Sequence, residues 1–355
     1  PLQSIDRFDS KKLQLDIPEK ASTSLFAEPN YLDPRQSFSL RNGNSFSIDN
    51  GTICWIETQG EKILCSQTNS EIDSRTIWDF DIGLYPISLE VVGDTLCVLT
   101  SRFLVTCNSI PSPSPSNSKQ ISTNGNWWNV DFSNYPVRKI VGNSGEYCAL
   151  TFGGTVGCWN HKSVLYEDSE SLRESIPKKV LSLGIPVDSI FVQENFYCAI
   201  LSDKSVNCEK ISNHSESMFL EKIDANLFPK QISEVAMSDN EFCVLNMSGS
   251  ISCALISELS AISHNSGVSS ESVFSLWLED AYHISSSKEN ICAVSLNGTL
   301  FCRGNLLLDG HYSASGPISL SKDALCFTHS EGNDLSCLEV VDGTLIELNI
   351  DAYTT

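Results

Sequence analysis

Apolar and polar residues alternate along most of this chain, in short runs broken by polar turns. VRKIVG at 137–142 and TLIELNI at 344–350 put every second side chain on one face, the period of a half-buried strand. No segment holds the three- and four-residue apolar spacing of an amphipathic helix over any length. The pattern predicts an all-β protein.

The alternation also repeats. CALTFGGTVGCW at 148–159, CAILSDKSVNC at 198–208, CVLNMSGSISC at 243–253 and CAVSLNGTLFC at 292–302 each read as strand, polar turn, strand. A second element precedes the hairpins: WDFDIGLYP at 78–86 and WNVDFSNYP at 128–136, echoed by KVLSLGIP ending at Pro186 and KIDANLFP ending at Pro229. A unit thus holds an edge-like strand with a proline exit, an alternating strand, and a hairpin. Four strands per unit is a propeller blade.

Cysteine spacing counts the blades. The fourteen cysteines form seven pairs: Cys54 with Cys65, Cys97 with Cys107, Cys148 with Cys158, Cys198 with Cys208, Cys243 with Cys253, Cys292 with Cys302, and Cys326 with Cys337. Five pairs are ten residues apart and two are eleven apart, and the pairs recur every 34 to 51 residues. That period marks a repeat architecture. Six residues after the first cysteine stands Gly60, Gly154, Gly249, Gly298 or Gly332, with Phe103 and Lys204 in the other two units. A three-residue loop of type I turn plus left-handed residue places that glycine third. The closing residues are then three and seven places after the first cysteine, and counting outward makes the two cysteines a non-hydrogen-bonded cross-strand pair, with Cα atoms about 4.5 Å apart. A disulfide can bridge that distance. The eleven-spaced pairs need a longer loop or a bulge. Zinc is the rival, but it prefers two to four residues between paired ligands, and these pairs have nine or ten.

The expected architecture is a seven-bladed β-propeller of four-stranded blades, each with one disulfide hairpin, over residues 38–355. TLIELNI is expected to close the ring by completing a blade begun by the N-terminal segment. Residues 1–37 read as an irregular extension or one packed along the ring, and the Ser/Pro stretch 109–118 as a mobile loop.

Composition then narrows the setting. A formal charge of −21 disfavours nucleic acid and anionic membrane surfaces. No apolar run reaches the roughly 18 residues that span a bilayer, so no direct membrane insertion is expected within this segment. Seven disulfides imply an extracellular, secreted or lumenal compartment, including the ectodomain of a longer surface protein.

Chemistry is sparse. There is no phosphate loop, nucleophile elbow or metal-spaced histidine pair, so no catalytic residue, metal ligand or cofactor is expected. His161, His214, His264, His283, His311 and His329 fall in different units and read as scattered. Trp78 and Trp128 repeat in position and read as packing residues. Trp127 points opposite to Trp128 and is a candidate partner anchor. Asn50, Asn213, Asn246 and Asn297 head glycosylation sequons, of which Asn246 and Asn297 fall at hairpin ends; about this many arise by chance in so Asn- and Ser-rich a chain.

The hairpins resemble the RCC1-like propeller repeat, best at Tyr147-Cys148-Ala149-Leu150 through Gly154 to Cys158-Trp159. The cysteine-paired form is similar to secreted bacterial members and to CRINKLY4-type receptor ectodomains. The Gly-Gln-Leu-Gly segment usual after the Trp is missing, and so is the basic tail of nuclear members. The resemblance implies the fold and leaves function open: a non-catalytic extracellular protein-binding or adhesion module, with a secreted enzyme inhibitor as alternative. A channel-mouth enzyme and a nucleotide-exchange factor rank below these.

Overall fold

The structure, a computed structural model, describes residues 46–350 except 50, 57–61, 68–75, 80–84, 111–120, 123–126, 133–134, 144, 161–178, 182–185, 194–195, 211–227, 230, 263–272, 307, 329–334 and 342–343. The extension at 1–37 and residues 111–118 of the Ser/Pro stretch lie outside the described residues. Ser109 ends a strand, and Ile110 packs against buried residues of the first two blades.

Seven antiparallel sheets follow one another along the chain, with inner strands Phe46–Asp49, Pro86–Val92, Val137–Asn143, Val187–Gln193, Ile232–Met237, Ala281–Ser286 and Ile318–Leu320. Each inner strand contacts the next, and the seventh contacts the first, so the blades form a ring around these strands.

Two details differ from the sequence expectation. The strand ahead of each Tyr-Pro exit belongs to the preceding blade: Thr76–Asp79 is the fourth strand of blade 1, and Trp128–Val130 that of blade 2. A repeat unit therefore straddles two blades. Among the described residues the ring also closes without strand sharing: Thr344–Ile350 pairs with Leu335–Val341 inside blade 7, and residues 1–45 lie outside the described residues. Closure is by packing instead: Phe46, Ile48 and Trp55 of blade 1 lie against Ala324, Cys326 and Leu335 of blade 7, and the Ile48 N–H donates to Ser319 Oγ at 3.2 Å.

Blade size varies among the described residues. Five sheets have four strands, blade 4 has three, and blade 1 has five because Ile121–Ser122 joins its outer edge in parallel. Ile256–Ile262 forms a short helix with Leu259 buried in the core between blades 4 and 5. At seven residues it is too brief to leave a readable apolar period.

The hairpin register is the one counted from the cysteines. In blades 1 to 4, Cys54 faces Cys65, Cys97 faces Cys107, Cys148 faces Cys158 and Cys198 faces Cys208 as direct cross-strand partners. In blades 5 to 7, Cys243 faces Cys253, Cys292 faces Cys302 and Cys326 faces Cys337. All seven pairs are disulfide-bonded, with Cα atoms 4.0–4.1 Å apart. The separation is a little shorter than the about 4.5 Å expected, and it is that of a non-hydrogen-bonded pair.

The loops close as counted in blades 2 to 5, three and seven residues after the first cysteine. Examples are Thr151 N–H to Thr155 O at 2.9 Å and Asn246 N–H to Ser250 O at 3.0 Å. The left-handed position is occupied by Gly154, Gly249 and Gly298, and also by Phe103 at φ 60° and Lys204 at φ 65°. Gly60 and Gly332 fall outside the described residues. In the eleven-spaced hairpins, Ile56 still faces Ile63 and Thr328 faces Leu335, so the extra residue lies in the loop and not in a bulge.

Alternation sends the two faces of every hairpin to different neighbours. Tyr147, Ala149 and Trp159 of blade 3 pack toward blade 2, whereas Cys148, Leu150 and Cys158 pack toward blade 4. In all seven blades the disulfide lies in the interface with the following blade. Gly142 sits in the interface between blades 2 and 3: an added Cβ would lie 2.6 Å from Val92 Cγ2 and 2.8 Å from the Tyr147 ring of its own blade.

Two outcomes are expected. Thiol alkylation of the denatured, unreduced protein will modify none of the fourteen cysteines, and reduction will expose all of them, as read by intact mass. Gly142→Ala will overpack its interface and cost about 1–3 kcal/mol in denaturant unfolding, with an unchanged m-value.

Candidate functional site at the channel mouth

Every inner strand from blade 2 to blade 6 is interrupted just after it starts. The register shifts between Pro86 and Ser88, Val137 and Lys139, Val187 and Ser189, Ile232 and Glu234, and Ala281 and His283. A bulge at one repeat position thus sets Ser88, Lys139, Ser189, Glu234 and His283 at equivalent places around the channel. Neighbouring blades are stitched there by side chains. Lys139 Nζ donates to Ser189 Oγ at 2.9 Å, and His283 Nδ1 meets Glu234 Oε2 at 2.9 Å. Glu234 Oε2 also accepts the Ile284 N–H at 2.9 Å.

Of these, Lys139, Ser189, Glu234 and His283 line a cavity of about 430 Å³ with Glu90, Tyr282 and Pro317. Burial alone would raise the Glu234 carboxyl; His283, the Ile284 N–H and Lys139 outweigh it and hold the group below its ordinary value. Burial pulls the Lys139 ammonium down, with Glu234 and Glu90 opposing that pull. A smaller cavity of about 110 Å³ opens further along the channel beside Asp49 and Asn143. There Asp49 Oδ2 accepts the Gly93 N–H at 2.7 Å, and Asn143 donates to Gln193. No cysteine lines either cavity.

The hairpin turns stand at the same end as the larger cavity. Each turn is tied to the entry of its own inner strand, as in Phe152 N–H to Pro136 O at 3.0 Å, Met247 N–H to Gln231 O at 2.8 Å and Leu296 N–H to Asp280 O at 2.6 Å. The left-handed residue then offers its carbonyl to the next blade: Phe103 to Val137 N–H, Gly249 to Ala281 N–H and Gly298 to Ala314 N–H, at 2.7–2.9 Å. The residue four places after the first cysteine is pushed outward. It is Phe152, Met247 and Leu296 in blades 3, 5 and 6, which are 57%, 62% and 68% exposed. Tyr135 and Tyr282 are also exposed on this face. Phe103 stands edge-on to Phe152, with ring centroids 5.1 Å apart.

The expected residues are placed as follows. Trp127 and Trp128 do face opposite ways, Trp127 toward the core between blades 1 and 2 and Trp128 toward that between blades 2 and 3, and both are half-buried. Asn246 and Asn297 stand on hairpin turns of the mouth face, Asn297 exposed and Asn246 half-buried, while Asn50 and Asn213 lie outside the described residues. His283 is the histidine whose side chain is described, and it converges with Glu234 from the neighbouring blade. Reading the histidines as scattered missed this pair, because the bulge that aligns the two residues leaves no mark in the spacing. Among the described residues, no group of three His, Cys, Asp or Glu side chains could hold a metal ion.

No protein-family model matches the sequence, and no curated protein matches it. Solved structures do resemble the chain. The human WBSCR16 structure matches at 12% identity over 78% of this chain and 84% of its own, with a TM-score of 0.53. The ectodomain of the Physcomitrella patens receptor kinase CR4 matches at 13% over 83% and 73%, at 0.51. The CRINKLY ectodomain of the Arabidopsis thaliana receptor kinase ACR4 matches at 14% over 83% and 94%, at 0.50. What they share with this chain is the propeller fold. The resemblance read from the hairpins to CRINKLY-type ectodomains therefore holds at the level of fold.

Glu234 carries a pH signature. Its carboxyl is held below its free value in the folded state, so its contribution to stability is complete above the unfolded value near 4.5 and is lost as pH falls through the folded one. Glu234→Gln is expected to flatten the acid limb of stability between about pH 5 and pH 3, as measured by urea midpoints.

Proposed function

We propose that this protein is a non-catalytic protein-binding module of an extracellular or lumenal compartment, and that it binds through the face carrying the hairpin turns. The observation that carries the proposal is the repeated placement of Phe152, Met247 and Leu296. Each is a large apolar side chain more than half exposed, at the same turn position, around a mouth in which Lys139, Ser189, Glu234 and His283 stand among apolar lining residues. Isolated apolar residues on a surface need no explanation, but this set is presented by the repeat itself. A turn braced by a disulfide and bonded to the next blade offers such side chains with little ordering cost on binding.

Two points support the compartment. Seven disulfides suit an oxidising environment. Two of the similar propellers belong to receptor-kinase ectodomains. The non-catalytic assignment rests on the mouth. His283 turns Nδ1 to Glu234, while its Nε2 is buried and has no hydrogen-bond partner. A general base needs its second nitrogen on the substrate or on a nucleophile. Ser189, a hydroxyl lining the same cavity, accepts from Lys139. A secreted enzyme inhibitor would use the same face, with a hydrolase as its partner.

The test is site-specific photo-cross-linking with the full chain against cell-surface and secreted protein fractions. A photoreactive phenylalanine analogue at position 152 and at position 247 is expected to capture the same partner. The analogue at position 276, an exposed leucine on the outer strand Ser275–Leu278, is expected to capture none of it. Equal capture at all three positions, or none at 152 and 247, overturns the proposal.

A further inference from the structure

The turn face is not uniform. Among the described residues, its cations lie on blades 1 to 4 and are already engaged. Lys62 beside the blade 1 turn and Arg102 on the blade 2 turn are not free. Arg138 Nη2 donates to the Val187 carbonyl at 2.5 Å, Lys139 to Ser189, and Lys204 to Asp188 at 2.6 Å. Blades 5 and 6 differ. Glu279 and Asp280 are exposed at the entry to the blade 6 inner strand, with no ion-pair partner among the described residues. The backbone brackets them between two apolar turns. The Asp280 carbonyl accepts the Leu296 N–H, and the next residue, Ala281, donates to Gly249 in the Met247 turn. From there the blade 6 inner strand leads past exposed Tyr282 to His283, which meets Glu234 of the blade 5 inner strand, whose side chain is 36% exposed at the cavity. Glu90 lines the same cavity more deeply.

We infer that this sector of the face receives a basic, partly apolar segment of a protein partner, with a lysine or arginine side chain entering the mouth. The inference rests on the binding proposal above and names the chemistry of the partner. Apolar side chains of the segment cover Met247 and Leu296. One cation pairs with Glu279 and Asp280 at the rim, and a second reaches Glu234 in the cavity, with Tyr282 beside its path. The rim of this sector is negative, through Glu279 and Asp280, and inside the cavity Glu234 and Glu90 face Lys139 and His283. The whole chain carries −21, so long-range attraction favours a basic partner and repels an acidic one. A cavity of about 430 Å³ has room for a long cationic side chain. A free amine would satisfy the carboxylates but not the apolar turns, which is why the assignment is to a polypeptide.

The experiment titrates the full chain with three synthetic peptides of equal length and equal leucine content, rich in arginine, glutamine or glutamate. Binding is followed by calorimetry at low and raised salt. The arginine peptide is expected to bind, to weaken as salt rises, and to lose roughly tenfold in affinity with Glu279→Gln/Asp280→Asn. Both residues are exposed, so this variant is expected to fold. Glu234→Gln, checked for folding by circular dichroism, is expected to weaken the peptide further. Glu258→Gln removes the same kind of charge from the exposed side of the helix Ile256–Ile262 and is expected to leave affinity unchanged. Equal losses with Glu258→Gln and with the rim variant would reduce the effect to net charge and overturn the inference. Equal affinity for the glutamine peptide would do the same. The cross-linking test separates the two claims. Capture at 152 and 247 of a segment that is neutral or acidic leaves the binding proposal standing and ends this one, whereas no capture ends both.

Discussion

The disulfide's position between blades is the constraint on which the rest depends. A cross-strand bridge in a hairpin closes only a short loop, and its direct entropic contribution is about 2–3 kcal/mol. Here each bridge also lies in the interface with the following blade. Cys148 and Cys158 meet Val187, Ile190 and Tyr197, and the seventh bridge, Cys326 to Cys337, meets Phe46, Ile48 and Trp55 of the first blade. Fixing the hairpin therefore fixes the surface on which the next sheet packs. Seven repetitions of that contact make a ring, and the closing contact is of the same kind as the other six.

The register that aligns the cysteines also aligns the turns. Counting from the bridge sets the third loop residue in the left-handed region, and that conformation aims its carbonyl at the next blade. Phe103 and Lys204 adopt it without being glycine, which costs each about 1–2 kcal/mol of backbone strain. Each gains a contact in return: Phe103 meets Phe152 of the following blade, and Lys204 pairs with Asp188. The same register pushes Phe152, Met247 and Leu296 outward. One geometric device thus builds the scaffold and presents the side chains we assign to binding.

The mouth is a second product of repetition. A bulge in five inner strands places serine, lysine, glutamate and histidine at one position, and neighbours then pair by their own chemistry, Lys139 with Ser189 and Glu234 with His283. Variation at one repeat position tunes the mouth without disturbing the blades, because the bulge lies outside the cysteine register. This separates scaffold from specificity in a way that suits recognition.

Alternation and cysteine spacing in the chain by itself determined the strand class, the seven units, the pairing of all fourteen cysteines and the left-handed loop position. These follow from local rules, since a hairpin's register depends on residues close in sequence. The blade boundary, the mode of ring closure and the meeting of Glu234 with His283 were decided only in the tertiary structure. Ring closure and the Glu234–His283 pair each join residues about fifty or more positions apart, whose packing across a blade interface no local pattern records. The strand before Tyr-Pro illustrates the boundary: its alternation marks it as a strand, but whether it closes the preceding blade or opens the next is settled by which sheet edge its backbone pairs with.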